Sequence, residues 1–142
     1  MKERAPVLCR RGDPILLVAR LHARWALPGG RPRRRETLGE AALRELFEET
    51  GLVGRPEAYL FRAEGGRKRH HVFLVEVDPL AVARPAREIA HCAWVDRQAP
   101  ASTRCSRPTP IIVDLAFERI RGPRVAVAGT TMFLPARPAL AA

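Results

Sequence analysis

Cysteine is scarce, acidic residues are outnumbered, and no long apolar run is present. Each scarcity closes off a class of explanation. The three cysteines, Cys9, Cys92 and Cys105, are odd in number and widely spaced, with no C-x-x-C pair. Neither a disulfide framework nor a zinc site is indicated, and they read as reduced thiols. No apolar stretch is long enough to span a bilayer, and the start "MKERAPVL" lacks the apolar region and cleavage site of a signal peptide. A cytoplasmic protein without a membrane anchor is the expectation. Asp and Glu number 15 against 25 Lys and Arg, for a formal net charge of +10. That balance points to anionic partners: nucleic acid, a membrane surface or phosphorylated small molecules. Abundant Arg, Ala and Pro also fit a general composition bias with solvated charge, so charge alone does not rank these partners.

What is present is the material of one globular domain. A chain of 142 residues, 46% hydrophobic and 28% charged, has enough apolar surface for a single core and excludes global disorder. "APVLCRRGDPILLVAR" reads as two β segments, about residues 6–9 and 15–19, joined by the turn-forming "RGDP". "EAYLFRAE" and "HHVFLVEV" form a second strand pair around a turn at Gly65 and Gly66, and "HCAWV" adds a short strand. "TPIIVDLAFERIRGP" has helix punctuation: Thr109 as cap, Pro110 at the first position, Gly122 at the end. The domain is expected to span 1–122, with 123–142 as a tail open to three readings: an edge strand, a clasp on a second copy in a homodimer, or a disordered segment.

The densest chemistry lies in "LPGGRPRRRETLGEAALRELFEETGL", from Leu27 to Leu52. Thr37 followed by Glu40 makes a capping box, and Gly51 can take the left-handed conformation past the last turn, so a helix is predicted over Leu38 to Thr50. Ala42, Leu43, Leu46 and Phe47 form its apolar stripe. At about 100° per residue, Glu45 lies about 40° from Glu49 and about 60° from Glu48, so three carboxylates share one side. Such a set repels itself by about 0.2–0.5 kcal/mol per i,i+4 pair on an exposed helix. A divalent cation converts that repulsion into coordination, and carboxylate oxygens suit Mg²⁺ or Mn²⁺. A solvated helix face accounts for the same spacing. His70 and His71, as neighbours on a strand, point to opposite faces and do not share one ion.

The full pattern is Gly30, five residues, Glu36, seven residues, then Arg44-Glu45-Leu46-x-Glu48-Glu49-x-Gly51-Leu52. It matches every fixed position of the Nudix signature, and the chain resembles a Nudix (MutT-like) hydrolase over most of its length up to about Arg121. The resemblance implies an α/β fold with a mixed β-sheet sandwiched between α-helices. It also implies a metal-dependent enzyme that cleaves the pyrophosphate linkage of a nucleoside diphosphate derivative. Carried over, Glu48 and Glu49 are the principal metal ligands, and Glu45 is a further ligand or the base that activates water. The backbone carbonyl of Gly29 is an additional ligand, while Gly30, Glu36 and Arg44 support the site. Many members add a later carboxylate before a strand near a tryptophan, and "REIAHCAWV" offers Glu88 ahead of Trp94 as base or extra ligand. Trp25 and Trp94 themselves read as packing residues.

Substrate class is less legible. The proline, "SQPWPFPxS" and tyrosine marks of the ADP-ribose, NADH and dinucleoside polyphosphate subfamilies are missing at their expected places beyond Leu52. A compact chain without them leans toward a nucleoside triphosphate pyrophosphohydrolase of the housecleaning kind. The alternative is a catalytically silent Nudix-fold module that senses a nucleotide or grips nucleic acid, though nothing in the pattern requires nucleic acid. Two basic clusters offer themselves to an anionic substrate: Arg31, Arg33, Arg34 and Arg35 before the helix, and Arg67, Lys68 and Arg69 at the later hairpin turn. Solvated loop charge is the competing reading of both.

Overall fold

The computed structural model describes residues 1–122, 124–127 and 130–133 of the chain, with side-chain surroundings described up to Gly122 except at 56 and 57. Among the described residues, eight strands and three helices follow in order: β1 (Lys2–Arg4), β2 (Val7–Arg10), β3 (Ile15–Arg20), α1 (Leu38–Thr50), β4 (Arg55–Gly65), β5 (Lys68–Glu76), β6 (Ile89–Val95), α2 (Ala99–Ser102), α3 (Pro108–Arg121), β7 (Arg124–Val127) and β8 (Thr130–Phe133). They form one mixed sheet in the order β6-β3-β2-β5-β4-β8-β7, with β1 also paired to β5. Helices lie on both faces of that sheet. The expected α/β architecture is therefore what the chain adopts.

Period-two alternation explains the two layers. On β2 and β3, Val7, Cys9, Leu16 and Val18 point to the side that packs Ala41, Ala42 and Leu46 of α1. Leu8, Ile15 and Leu17 point to the other side, against Ile112, Val113 and Ala116 of α3. A strand buried on both faces reads as a continuous apolar run, and that is why "ILLVA" shows no alternation in sequence. Leu46 is fully buried, so truncating it to Ala would cost about 2–5 kcal/mol.

Local chemistry sets the element ends. Thr37 accepts from the Glu40 N–H, and Gly51, at φ 74°, donates to the Phe47 carbonyl. The predicted stripe needs one correction: Phe47 is 56% exposed and Ala41 takes the buried position, because the core lies under Ala41, Ala42 and Leu46. In the β4–β5 hairpin the turn sits one residue later than expected. Gly66 and Arg67 both take positive φ, at 57° and 63°, as a type I′ turn requires, while Gly65 stays in the strand. α3 also starts earlier than Thr109, with Pro108 in its first turn, and Gly122 ends it in an extended conformation. The short α2 was not foreseen. Beyond α3, the β7–β8 hairpin extends the sheet beside β4 through the Tyr59–Met132 pairing. Residues 134–142, with Pro135 and Pro138, lie outside the described residues.

The approach to α1 is anchored on the first strands. Between β1 and β2 the chain stays bonded to β5, through the Phe73 N–H to the Pro6 carbonyl at 3.0 Å, and on its other edge pairs with residues 28–30: the Ala5 N–H donates to the Gly30 carbonyl and the Val7 N–H to the Pro28 carbonyl, each at 2.8 Å. Gly29 has φ 138°, and a Cβ there would stand 2.5 Å from the Ala5 carbonyl oxygen. Only glycine fits so close to the neighbouring backbone.

Candidate metal centre

Glu45 and Glu49 come from consecutive turns of α1, and Glu88 from the residue before β6. One carboxylate oxygen from each lies within 4.8 Å of the others. A backbone splice brings the two sources together. The Arg84 and Ala86 N–H groups donate to the Thr50 and Glu49 carbonyls at 2.9 and 3.0 Å. The loop thus satisfies open carbonyls at the end of α1 and delivers Glu88 beside Glu49.

Glu49 is only 4% exposed, and its Oε1 accepts from the Gly29 N–H at 3.3 Å. Burial, then contact with the Glu45 carboxylate, push its pKa up to about 8. Glu88 adds to the repulsion. Gly30 is where this crowding meets sequence: a Cβ there would lie 2.6 Å from the Glu45 carboxyl group. The fixed glycine therefore leaves room for a ligand-bearing side chain.

Arg44 organises the outer side. Its guanidinium reaches both Glu36 oxygens, at 2.6 and 2.9 Å, the Arg31 carbonyl at 3.1 Å, Glu45 at 3.0 Å and Glu48 at 3.1 Å. This fork geometry is available to Arg and not to Lys. The pairing with Arg44, followed by the Arg33 backbone N–H, lowers the Glu36 pKa to about 2. Glu48 does not join the carboxylate group. Its oxygens take Arg33 at 3.2 Å, Arg44 at 3.1 Å and Arg87 at 3.6 Å. Arg33 and Arg87 are themselves about 63% and 62% exposed along their side chains.

The cleft over these carboxylates has a volume of about 340 Å³ and is lined also by Arg4, Arg20, Arg24, Gly29, Gly30 and Arg31. The two basic clusters lie in different surroundings. From the first, Arg31 lines the cleft, Arg33 pairs with Glu48, and Arg34 and Arg35 are exposed. From the second, Arg69 is held by Glu3 and Glu64, Lys68 faces a different cavity, and Arg67 occupies the hairpin turn. His70 and His71 do point apart: His70 lines that cavity, while His71 bonds Tyr59 and Glu3. Trp25 and Trp94 pack at the edges of the two cores. Sequence reading missed Arg4, Arg20, Arg24 and Arg87. Only Arg87, adjacent to Glu88, carried a signal there.

All ligand candidates in the group are carboxylates, a donor set that fits a hard divalent cation such as Mg²⁺ or Mn²⁺. A buried, self-repelling carboxylate is further relieved by positive charge. Among the described residues, no helix is long and apolar enough to cross a membrane.

Comparison with known proteins agrees with this geometry. Residues 3–111 match the family model of the NUDIX domain. Diphosphoinositol polyphosphate phosphohydrolase 3-beta of Bos taurus is 41% identical over 75 residues, covering 49% of this chain and 46% of that protein. The chain thus spans about half the length of the curated relatives it matches. Among solved structures, a Nudix hydrolase family member from Chromobacterium violaceum superposes with a TM-score of 0.75 at 28% identity, covering 89% of this chain and 82% of that one. A MutT Nudix hydrolase from Burkholderia pseudomallei, at 18% identity and a TM-score of 0.64 over 80% and 95% of the two chains, shares the fold. With the motif, the sheet and the family match in agreement, the chain belongs to the Nudix family.

Proposed function

We infer that the protein hydrolyses a phosphoric anhydride in a nucleoside diphosphate derivative, with nucleoside triphosphates as the first class to test. The observation that carries this reading is the convergence of Glu45, Glu49 and Glu88 from two separate elements onto one point. A solvated helix face would have no reason to bring a distant loop carboxylate into its own repulsion.

In this reading Glu45, Glu49 and Glu88 hold the cation, with the Gly29 carbonyl as a further ligand. When bound, Mg²⁺ or Mn²⁺ neutralises anhydride oxygens and lowers the pKa of the attacking water. The chain's own residues do the rest. Arg44 locks Glu45 against Glu36 and so fixes the direction of its carboxylate. Whichever of Glu45 and Glu88 is left partly free of the cation accepts the water proton, provided it lies within hydrogen-bond reach. Glu48, expected as a principal ligand, reaches the cation only if its carboxylate leaves Arg33 and Arg87. An incoming phosphate competes for those same exposed guanidinium groups.

A second substrate class has its own support. The curated relatives act on diphosphoinositol polyphosphates, whose diphosphate is also an anhydride, and cations line the neighbouring cavity. The test is a turnover panel with Mg²⁺ or Mn²⁺: the nucleoside triphosphates, nucleotide sugars, dinucleoside polyphosphates and 5-diphosphoinositol pentakisphosphate, with products separated by chromatography. Turnover of at least one compound, abolished by chelation, is the expected result. No turnover of any, with tight nucleic-acid binding, would favour a silent binding module.

A further inference from the structure

A second and larger cavity, of about 610 Å³, adjoins the carboxylate cleft, and the two share Arg4, Ala26, Leu27 and Gly29 in their linings. Its size is ordinary for a small-molecule site. One wall is apolar, from Leu27, Ala63, Ile111 and Ile112. Its charged residues are Arg4, Glu64, Lys68 and Arg107. Glu64 is already engaged by Arg69 at 3.1 Å and Arg62 at 3.8 Å. Among the described residues, Arg4, Lys68 and Arg107 have no carboxylate partner.

Two further features point the same way. The first turn of the 14-residue α3 opens on this cavity through Pro108 and Thr109 and carries no acidic residue. Its dipole adds a small partial positive charge only, because Pro108 and Pro110 have no N–H and the Thr109 N–H is taken by the Ser106 carbonyl at 3.0 Å. His70 is buried in the same wall, and burial, followed by the charges of Arg4 and Lys68, holds its pKa below the usual value. A neutral imidazole can hydrogen-bond a ligand without adding to the repulsion among the cations. Three like charges around one concavity, whose single carboxylate, Glu64, is already engaged by Arg69 and Arg62, are stabilised together by an anion.

We propose that this cavity receives a phosphate monoester that the substrate carries outside the scissile anhydride, bound by Arg4, Lys68 and Arg107. The assignment rests on the cleft being the anhydride site, because Arg4 stands where the two cavities meet. The phosphate has two chemical sources: a nucleotide phosphorylated on its ribose, or a polyphosphorylated ring.

Binding is measured by calorimetry on the whole chain without metal, using adenosine 2′,5′-bisphosphate against AMP for the first source and inositol hexakisphosphate for the second. Wild type is expected to bind one of the phosphate-bearing probes about tenfold or more tightly than AMP. Lys68→Gln with Arg107→Gln should erase that preference by about tenfold or more, as loss of charge-assisted hydrogen bonds implies. Arg121→Gln, a charge change at the far end of α3, should leave it within about twofold. Equal affinities for both bisphosphate and AMP with no binding of the hexakisphosphate, or a preference untouched by the double substitution, would overturn the proposal. The turnover arm compares NADP⁺ with NAD⁺, which differ by one 2′-phosphate, and 5-diphosphoinositol pentakisphosphate, all with Mg²⁺. Binding selectivity without any metal-dependent turnover, in this arm or across the nucleoside triphosphates, nucleotide sugars and dinucleoside polyphosphates of the wider panel, would sink the anhydride-hydrolase reading and leave the phosphate site standing. Turnover without binding selectivity would do the reverse.

Discussion

The carboxylate cleft and the cation-lined cavity share a wall, yet they are assembled in opposite ways. Glu45 and Glu49 stand one turn apart on α1, inside a motif that also encodes the cap, the stripe and the glycine beside them. Arg4, Lys68 and Arg107 come from β1, β5 and the approach to α3, and meet because β1 runs parallel beside β5 in register Arg4 with His70. The cleft gathers three carboxylates, two from one helix and Glu88 from a loop, with arginines at its rim; the cavity gathers three cations. A locally encoded site has its chemistry fixed by spacing. A site assembled by topology has its chemistry fixed by whichever residues the sheet happens to align, and there the chain's selectivity is expected to reside.

The largest effect should come from the cleft. Glu49→Gln is expected to lower kcat by roughly 100- to 10,000-fold, the range for loss of a group acting directly on the reaction. Its metal-free melting temperature should not fall, because the substitution removes a buried repulsion. Glu48→Gln should cost less, since Glu48 lies in its arginine cage; a kcat loss equal to that of Glu49→Gln would show that Glu48 reaches the cation during turnover.

Next comes the pair of glycines, which separates stability from activity. Gly29→Ala forces a Cβ against backbone at positive φ and should cost about 1–3 kcal/mol or more in unfolding free energy. In Gly30→Ala the obstacle is the tip of Glu45, a movable side chain. Unfolding should change by less than about 1 kcal/mol, while kcat drops because the carboxylate has been displaced. Denaturant titration beside steady-state kinetics distinguishes the two.

The pH dependence of metal-free stability sharpens the contrast within the cleft. Glu49 has its folded pKa raised to about 8, so its contribution is present below the unfolded value and is lost as pH rises from about 4.5 to about 8. Glu36 is lowered to about 2 by Arg44, so its contribution is present above about 4.5 and is lost as pH falls toward 2. Glu49→Gln should flatten the upper limb of a melting-temperature profile, and Glu36→Gln the acid limb. A profile unchanged above pH 5 in Glu49→Gln would contradict the buried-carboxylate picture.

The smallest effect is expected at Arg34 and Arg35, exposed residues of the loop before α1. Their joint replacement by Gln should change kcat/KM by less than about threefold, and any change should fade with salt.

Legibility in the sequence follows the same division. α1 was readable to the residue, since Thr37, Glu40 and Gly51 act within one turn of its ends. Phe47 was misassigned because hydrophobicity gives the helix an apolar side but not the width of the core beneath it. The hairpin turn was displaced to Gly66 and Arg67 because a type I′ turn can place a non-glycine at positive φ. Glu88 was visible only through its family context, as the loop that presents it depends on bonds to the α1 carbonyls. Of the cavity's three cations only Lys68 was singled out in sequence, within the basic hairpin turn, since neither parallel pairing of β1 with β5 nor the start of α3 leaves a local mark that joins residues 4, 68 and 107.

Whether Glu45, Glu49 and Glu88 form one cation site is tested most simply by direct Mn²⁺ titration followed by electron paramagnetic resonance. At pH 8 wild type should bind Mn²⁺ with Mg²⁺ competing for the same site. Glu88→Gln, remote in sequence from the helix, should weaken that binding by about tenfold or more, as loss of one carboxylate ligand implies, with Glu49→Gln weaker still. Equal Mn²⁺ affinity in wild type, Glu88→Gln and Glu49→Gln would show that the carboxylates meet without holding metal.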